Sequence, residues 1–176
     1  SMDILISSNL ERLIYLSTGC DSAKTAQLME DLRTKGVYEV SDDMRQFMAD
    51  FVGGFAEEPE VFQTIRDLKE EAGYVLDPHT AVASAVYKQY AEKTGDTRKT
   101  VIASTASPYK FAPNVMKALG IDVEDQDVFA VIDQLSEISG VPEPRAIREV
   151  RNAAIRHSEV CEISEMKKMV EDFLFV

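Results

Sequence analysis

The chain has 176 residues, 45% of them hydrophobic, and a formal net charge of -12. This length and composition suit a folded protein with a buried core, and no run reaches the roughly 18 apolar residues of a membrane span. A strongly negative field repels phosphate backbones, which argues against nucleic acid as a partner.

The two cysteines give a further indication of class and location. Cys20 and Cys161 stand far apart and form no Cys-x-x-Cys pair. This argues against a disulfide framework or a zinc site and fits a reducing compartment. Residues 1–4 carry neither the basic stretch nor the apolar core of a secretion signal. We therefore expect a cytoplasmic protein that binds no metal.

The first part of the chain carries start and stop signals for helices. Ser8 opens a capping box, and Ser41 or Asp42 can cap a later helix. Residues 37–40 are a short strand or an extended link. Proline at position 59 suits the first turn of another helix. The predicted helices run from Ser8 to Gly19, from about Ala23 to Thr34, from Ser41 or Asp42 to Gly53, and from Pro59 toward Glu71.

Two strand-to-helix junctions follow in the middle of the chain. Gly73–Leu76 is short, apolar and strand-like, and it precedes Asp77, which can cap a helix running to about Lys93. Thr100–Ser104 has the strongest strand signal in the sequence. It leads into Thr105–Pro108, a second cap followed by proline, and then into a helix that stops near residue 120.

The rest of the chain, residues 121–176, is predicted to be a helical C-terminal segment. A few strands that are each followed by a helix are typical of the α/β class. We therefore expect one domain over residues 1–176, a helix-rich partial three-layer fragment with a small, mostly parallel sheet of two to three strands. The predicted C-terminal helices cover about 127–139, 144–157 and 164–173.

A basic flank recurs along the predicted helix over residues 144–157. It consists of Arg145, Arg148, Arg151 and Arg156. Such a flank is typical of a solvated helix face that pairs with nearby carboxylates, and we interpret it in this way.

The two junctions contain the side chains best suited to chemistry. In open α/β sheets, ligands bind beyond the carboxyl ends of strands. Ser104 and Thr105 offer hydroxyls there, and Lys110 lies in the first helical turn. Asp77 and His79 offer a carboxylate and an imidazole at the other junction. Spacing alone favours the simpler interpretation, in which the junctions are helix caps with spare hydroxyls and the histidine is partly buried.

Three segments resemble threonine synthases. Ser1–Leu13 is similar to a block in the middle of that family, Asp77–Ala83 to its Asp/Glu-Pro-His-x-Ala-Val segment, and Ser104–Phe111 to its Ser-Thr-Ala-His-Pro-x-Lys-Phe segment. They occur in the family's order and cover the chain to about Leu119. One position departs from the pattern, because Ser107 stands where the family often has histidine.

The resemblance implies a pyridoxal-phosphate enzyme in the fold shared with the tryptophan synthase β chain, which converts O-phosphohomoserine and water to threonine and phosphate. It implies that Thr105 contacts the pyridine nitrogen, with Ser104 as the alternative one residue away, and that Asp77 lies near the cofactor's edge. His79 and Lys110 match motif positions without a fixed role, and Lys110 is suited either to attract the substrate phosphate or to pair with a neighbour. A hydroxyl leaves the ring nitrogen largely unprotonated, whereas a carboxylate would hold a proton there.

The resemblance also identifies what the sequence does not contain. The family's Schiff-base lysine motif and its Ser-Gly-Asn-Phe-Gly phosphate loop belong to the N-terminal half, and neither occurs here. We therefore expect a C-terminal part that forms one wall of the cofactor site, needs the N-terminal half as its partner, and is inactive and cofactor-free alone. The alternative is a truncated relative that acts as a binding or regulatory module. In either case the strand Thr100–Ser104 would be an uncovered edge that favours self-association.

Overall fold

A computed structural model of the protein describes residues 6–175. The regular secondary structure in this range is helical and consists of nine α-helices and two short 3-10 turns. The 3-10 turns lie at Pro108–Phe111 and Ile163–Glu165. The α-helices are α1 Ser8–Ser17, α2 Ser22–Lys35, α3 Asp42–Phe47, α4 Glu58–Ala72, α5 Pro78–Thr94, α6 Ala112–Ala118, α7 Val128–Ser139, α8 Arg145–Arg151 and α9 Met166–Leu174.

No strand or sheet occurs within residues 6–175, so the predicted α/β class with a small parallel sheet is wrong. A strand exists only where its backbone groups pair with a neighbour. In the described part of the chain, no backbone hydrogen bond joins residues 100–104 to another segment. Residues 37–40 form a link without regular secondary structure, in agreement with the alternative to a strand that the sequence allowed.

The segment Gly73–Leu76 is not a strand for a second reason. Gly73 caps α4 in the left-handed region, with φ 68°, so the chain turns there and does not run straight. Val75 and Leu76 are buried, at 6% and 5% exposure, and their apolar character therefore reflects the core and not a ladder. Short apolar runs of this kind do not distinguish a buried connection from a strand.

The chain divides into two compact units, the first ending at Glu124 and the second beginning at Asp125. In the first unit, Ile14, Leu28 and Met44 form a buried cluster supplied by α1, α2 and α3. Helix α4 packs against both α5 and α6. The buried residues of those three helices include Val61, Ile65, Ala81, Ala85, Val115 and Met116.

A side chain of α4 also secures the end of α6. Arg66 Nη1 donates a hydrogen bond of 2.6 Å to the carbonyl of Ala118, the last residue of α6. The carbonyls at a helix C-terminus lack partners within the helix, so this contact satisfies one of them. Helix α5, which begins at the first junction, and helix α6, which follows the second, are thus both held by α4.

The second unit is built around α7. Asp127 caps this helix, and Val131, Ile132 and Leu135 bury one of its faces, a spacing typical of an amphipathic helix. Helix α8 ends at Arg151 instead of reaching residue 157, and neither α8 nor α9 has a buried residue. Within the described residues no helix has the length and apolar character needed to cross a membrane.

Candidate functional site

Asp77 holds the start of α5. Its Oδ1 accepts hydrogen bonds from the backbone N–H of His79 at 2.9 Å and of Thr80 at 3.1 Å. Its Oδ2 accepts a short hydrogen bond from the Thr80 hydroxyl. The residue is only 1% exposed, so its carboxylate is surrounded by protein and its hydrogen bonds replace lost water. The interpretation of Asp77 as a helix cap is therefore confirmed, whereas a contact with a cofactor stays a prediction.

Thr80 connects the two junctions, and the sequence analysis did not single it out. Its Oγ1 lies 3.1 Å from Ser104 Oγ, within hydrogen-bonding distance, although 24 residues separate the two in sequence. Thr80 is 5% exposed. In the segment Asp77–Ala83 it occupies the unspecified position of the family motif. The available signal was a hydroxyl three residues after a capping aspartate, where a side chain can reach back to the cap.

Two further hydroxyls follow Ser104 and differ in their surroundings. Ser107 caps the 3-10 turn that begins at Pro108, because its Oγ accepts a hydrogen bond of 3.3 Å from the N–H of Tyr109. This is the cap predicted from the sequence. Thr105 is exposed, and its hydroxyl makes no hydrogen bond with any residue that the structure describes. Thr105 is thus the hydroxyl that is available to a ligand.

The remaining two candidates meet at a residue that the sequence analysis did not select. The ring of Phe111 lies edge-on to the imidazole of His79, with 4.9 Å between ring centroids. Lys110 Nζ lies 5.3 Å from the centroid of the same ring. Phe111 therefore contacts both His79, in the first turn of α5, and Lys110. Such contacts orient a side chain at modest energetic benefit, about 0.5–1 kcal/mol at exposed sites.

A locked turn positions the start of the extended segment. The Asp96 carboxylate accepts hydrogen bonds from the backbone N–H of Arg98 at 2.9 Å, from the Arg98 guanidinium, and from the Tyr90 hydroxyl at 3.1 Å. The Arg98 guanidinium holds the pKa of Asp96 well below its ordinary value. Because Tyr90 belongs to α5, this turn ties the approach to residues 100–104 to the helix that Asp77 caps.

One cavity belongs to the second unit. Its volume is about 710 Å³, and it is lined within the second unit by residues between His157 and Leu174. None of the candidate side chains borders it. At the candidate site the two motif segments meet through Thr80 and Ser104.

Comparisons with known proteins support the resemblance. The family model "Threonine synthase, C-terminal" matches residues 80–160. Human Threonine synthase-like 1 is 37% identical over 122 residues, and threonine synthase of Saccharomyces cerevisiae is 35% identical over 135 residues. A solved structure of pyridoxal-phosphate-bound threonine synthase from Brucella melitensis superposes with a TM-score of 0.70, at 27% identity and over 98% of this chain.

Fold and sequence therefore agree on the class, which is that of the threonine synthases and their relatives. The chain belongs to this family and corresponds to the C-terminal part of its members. It spans a minor share of each relative. The matched region covers 69% of this chain but 16% of the human protein, 68% of this chain but 26% of the yeast protein, and the superposed region is 32% of the Brucella chain.

Proposed function

We propose that this chain is the C-terminal part of a threonine synthase, which uses pyridoxal phosphate to convert O-phospho-L-homoserine and water to L-threonine and phosphate. The observation that carries the proposal is the contact between Thr80 and Ser104, 3.1 Å long, because it joins two family segments that are distant in sequence. Thr105, with a free and exposed hydroxyl, stands beside this contact.

The described residues fit one side of such a cofactor. Thr105 has a hydroxyl that can donate to an unprotonated ring nitrogen. Lys110 carries an exposed ammonium group, which suits an anionic phosphate. The Asp77 carboxylate is buried and hydrogen-bonded to the start of α5. It therefore stabilises the site through this helix start. When bound, the cofactor supplies the electron sink, and the role of these residues is to orient it and to keep its ring nitrogen unprotonated.

The decisive test concerns the Thr105 hydroxyl in the full-length protein. Thr105→Ser should retain most activity, because it keeps the hydroxyl. Thr105→Val keeps the size but loses the donor, which costs about 1–3 kcal/mol, or roughly ten- to a hundredfold in rate or cofactor affinity. Thr105→Asp should be worse, because a carboxylate would hold a proton on the ring nitrogen. Steady-state kinetics and cofactor titration measure all three.

The Ser104→Ala variant serves as the matched comparison. If Ser104→Ala loses the activity while Thr105→Val keeps it, the contact lies one residue earlier than we propose. If neither variant changes cofactor affinity, the junction does not bind the cofactor and the proposed site is wrong.

The isolated chain differs from a complete enzyme in its expected reaction with the cofactor. The family's lysine motif does not occur in this sequence, so the isolated chain should not form a covalent bond to pyridoxal phosphate at one specific lysine. Mixing the chain with cofactor and recording the visible spectrum before and after borohydride tests this. A stoichiometric yellow band that borohydride fixes to a single lysine would contradict it.

A second function has one observation in its favour. The relative with 37% identity is named Threonine synthase-like 1, a name that does not state the activity. A non-catalytic relative that serves as a binding or regulatory module is the corresponding alternative. Reading the coding sequence upstream of Asp3 separates the two. An open frame with the lysine motif and the glycine-rich loop supports the enzyme, and a native start at Met2 supports the module.

A further inference from the structure

Lys110 and His79 have no hydrogen-bonding or ionic partner among the described side chains. Lys110 is exposed and forms no ion pair with a carboxylate in residues 6–175; it contacts the ring of Phe111 instead. His79 is half-buried, and its imidazole nitrogens make no hydrogen bond to any residue that the structure describes. The sequence allowed Lys110 either to pair with a neighbour or to attract a phosphate. Since no ion pair occurs in the described part of the chain, both side chains are available to an anion.

The same aromatic ring contacts both groups. The imidazole centroid lies 4.9 Å and the Lys110 ammonium nitrogen 5.3 Å from the centroid of Phe111. The imidazole and the ammonium group therefore cannot lie further apart than the sum of these two distances. The edge contact restricts the imidazole, whereas the flexible stem of lysine lets its ammonium group follow a ligand. A single phosphate group can thus be within reach of both side chains.

The backbone N–H groups at these two helix starts are already used. Asp77 accepts hydrogen bonds from the first two N–H groups of α5. At the 3-10 turn, Ser107 accepts from the N–H of Tyr109 at 3.3 Å and from that of Lys110 at 3.0 Å. Helix N-termini that cradle a phosphate do so with uncommitted N–H groups. An anion at this place would therefore be bound by side chains.

The sequence around both groups lacks carboxylates. Residues 78–91 and 97–121 contain no aspartate or glutamate, although the chain has 31 of them and a net charge of -12. Every charged side chain in these two segments is a lysine or an arginine. Carboxylates close to an anion oppose its binding most strongly, because the Coulomb energy falls with distance. The two segments thus differ from the rest of a chain whose overall field repels phosphate.

We propose that Lys110 and His79 form a subsite for the phosphate group of the substrate. Lys110 supplies the positive charge, and His79 supplies an N–H donor, which an imidazole has in either protonation state. The inference rests on the proposed function for the identity of the substrate. The cofactor also carries a phosphate, but two side chains without a backbone cradle make a weak site. Weak binding suits a group that leaves as free phosphate at each turnover, whereas a resident cofactor has to be retained.

The two histidines of the chain allow the subsite to be tested without cofactor or substrate. His79 contacts Phe111, and His157, in the second unit, contacts Phe173 in a similar edge-on geometry with 5.7 Å between ring centroids. Inorganic phosphate is added to the 176-residue chain at constant pH and ionic strength, and the imidazole C–H resonances are followed by NMR. The His79 resonances should shift with half-saturation on the order of 1–10 mM, and those of His157 should stay in place. Unchanged His79 resonances would overturn the proposal.

Two lysine variants show whether the effect is local. Lys110→Gln should raise the phosphate concentration for half-saturation at least about fivefold, and Lys110→Arg should keep it within about twofold. Lys88→Gln is the matched control, because Lys88 is exposed on the same helix as His79, about 13 Å further along its axis. It changes the net charge by the same amount and should leave the His79 shift unchanged. Equal effects of Lys110→Gln and Lys88→Gln would show a response to overall charge and overturn the subsite.

Kinetics of the full-length protein distinguish the phosphate of the substrate from that of the cofactor. Lys110→Gln and His79→Phe should each lower kcat/KM for O-phosphohomoserine roughly ten- to a hundredfold, mainly through KM. Both should raise the inhibition constant of inorganic phosphate in parallel and leave the affinity for pyridoxal phosphate within about twofold of wild type. His79→Phe keeps an aromatic ring against Phe111, so the packing contact is retained while the N–H donor is lost.

The other outcomes of these measurements are separable. A loss of pyridoxal-phosphate affinity with an unchanged KM would assign the subsite to the cofactor and overturn the proposal. A drop in kcat with KM and phosphate inhibition unchanged would indicate a structural role and overturn it as well. If the full-length protein does not act on O-phosphohomoserine, the proposed function is wrong, and the phosphate titration of His79 alone then decides whether Lys110 and His79 bind phosphate.

Discussion

Gly54 lies close to a neighbouring helix, a contact that its sequence context does not indicate. The sequence predicts a helix that ends at Gly53, but α3 already ends at Phe47. In the structure, a Cβ on Gly54 would lie 2.6 Å from Cγ1 and 3.3 Å from Cγ2 of Val86, which belongs to α5. Gln89 of the same helix donates a hydrogen bond of 3.2 Å to the carbonyl of Phe55. The loop before α4 thus lies directly against α5, and Gly54 permits the close approach.

We therefore predict that Gly54→Ala destabilises the first unit by about 1–2 kcal/mol, because the added methyl group overlaps a β-branched side chain on a helix. The overlap is steric, so shortening the neighbour should relieve it. Val86→Ala in the Gly54→Ala background should recover part of the loss. Urea unfolding followed by circular dichroism measures these free energies.

Gly53 offers the control for this prediction. A Cβ at Gly53 would meet nothing within 4 Å, so Gly53→Ala should be neutral or slightly stabilising through its effect on the unfolded chain. Equal losses from the two substitutions would show that the backbone conformation of the glycines matters and that the contact with Val86 does not.

At the scale of elements, local sequence signals were sufficient to predict helix caps and helix ends. Asp77, Ser107 and Asp127 cap helices as their residue types indicate, and Gly36 ends α2 in the left-handed conformation with φ 74°. Each of these depends on atoms within a few residues of one another.

The strand predictions failed because a strand depends on a second segment. Thr100–Ser104 has the composition of a strand, but composition does not supply the partner whose N–H and C=O groups complete a ladder. The same limit applied to the candidate site. Asp77 and Ser104 were each predicted from the junction in which they lie. The role of Thr80 can be recognised only in the folded structure, where its Oγ1 lies 3.1 Å from Ser104 Oγ.

The basic flank of α8 is a case in which the sequence interpretation was sufficient. Arg145 pairs with Glu149 at 2.6 Å and Arg148 with Glu143 at 3.5 Å. Arg151 donates to Asp133 of α7 at 2.6 and 2.8 Å and to Glu143 at 2.8 Å. The pairing with carboxylates predicted from the sequence is confirmed for these three arginines, and Arg151 is the one that links two helices of the second unit.

The link between α7 and α8 should make the second unit sensitive to acid. Hydrogen bonds from Arg151 lower the pKa of Asp133. A carboxyl group whose pKa is depressed in the folded state contributes stability above its unfolded pKa of about 3.9, and this contribution is lost as the pH falls through the lower folded value. Arg151→Met should therefore increase opening of α7 at pH 7, and its difference from wild type should shrink below about pH 4. Amide exchange in α7, corrected for intrinsic rates, measures this.

Arg145→Met is the matched variant for the acid prediction. Arg145 and Glu149 lie on one turn of α8, and the Arg145 side chain is 89% exposed. Exposed pairs of this kind contribute little, so Arg145→Met should change α7 exchange hardly at all. A pH-independent effect of Arg151→Met would show that packing of Arg151 over the Phe129 ring, 5.1 Å away, matters more than its charge.

At the scale of the whole molecule, the main feature is the number of large apolar side chains that are exposed to solvent among the described residues. Val101 in the extended segment is 89% exposed, and Phe55 before α4 is 75% exposed. In the second unit, Ile155, Val160 and Phe175 are each more than four-fifths exposed. Scattered apolar side chains are normal at a protein surface, but the unpaired segment that contains Val101 offers free backbone groups to another chain.

We predict that the isolated chain self-associates through residues 100–104. These residues have the β-forming composition and the unpaired backbone that edge-to-edge pairing requires, and Val101 points a β-branched side chain into solvent. Val101→Lys should weaken association severalfold, because a charged side chain on an edge opposes pairing. Val160→Lys is the matched control, since Val160 is 92% exposed and lies outside any helix. Sedimentation velocity at several concentrations distinguishes the outcomes. If Val160→Lys is the only variant that disrupts the oligomer, the contact lies in the second unit. A wild-type chain that stays monomeric at every concentration would refute the prediction.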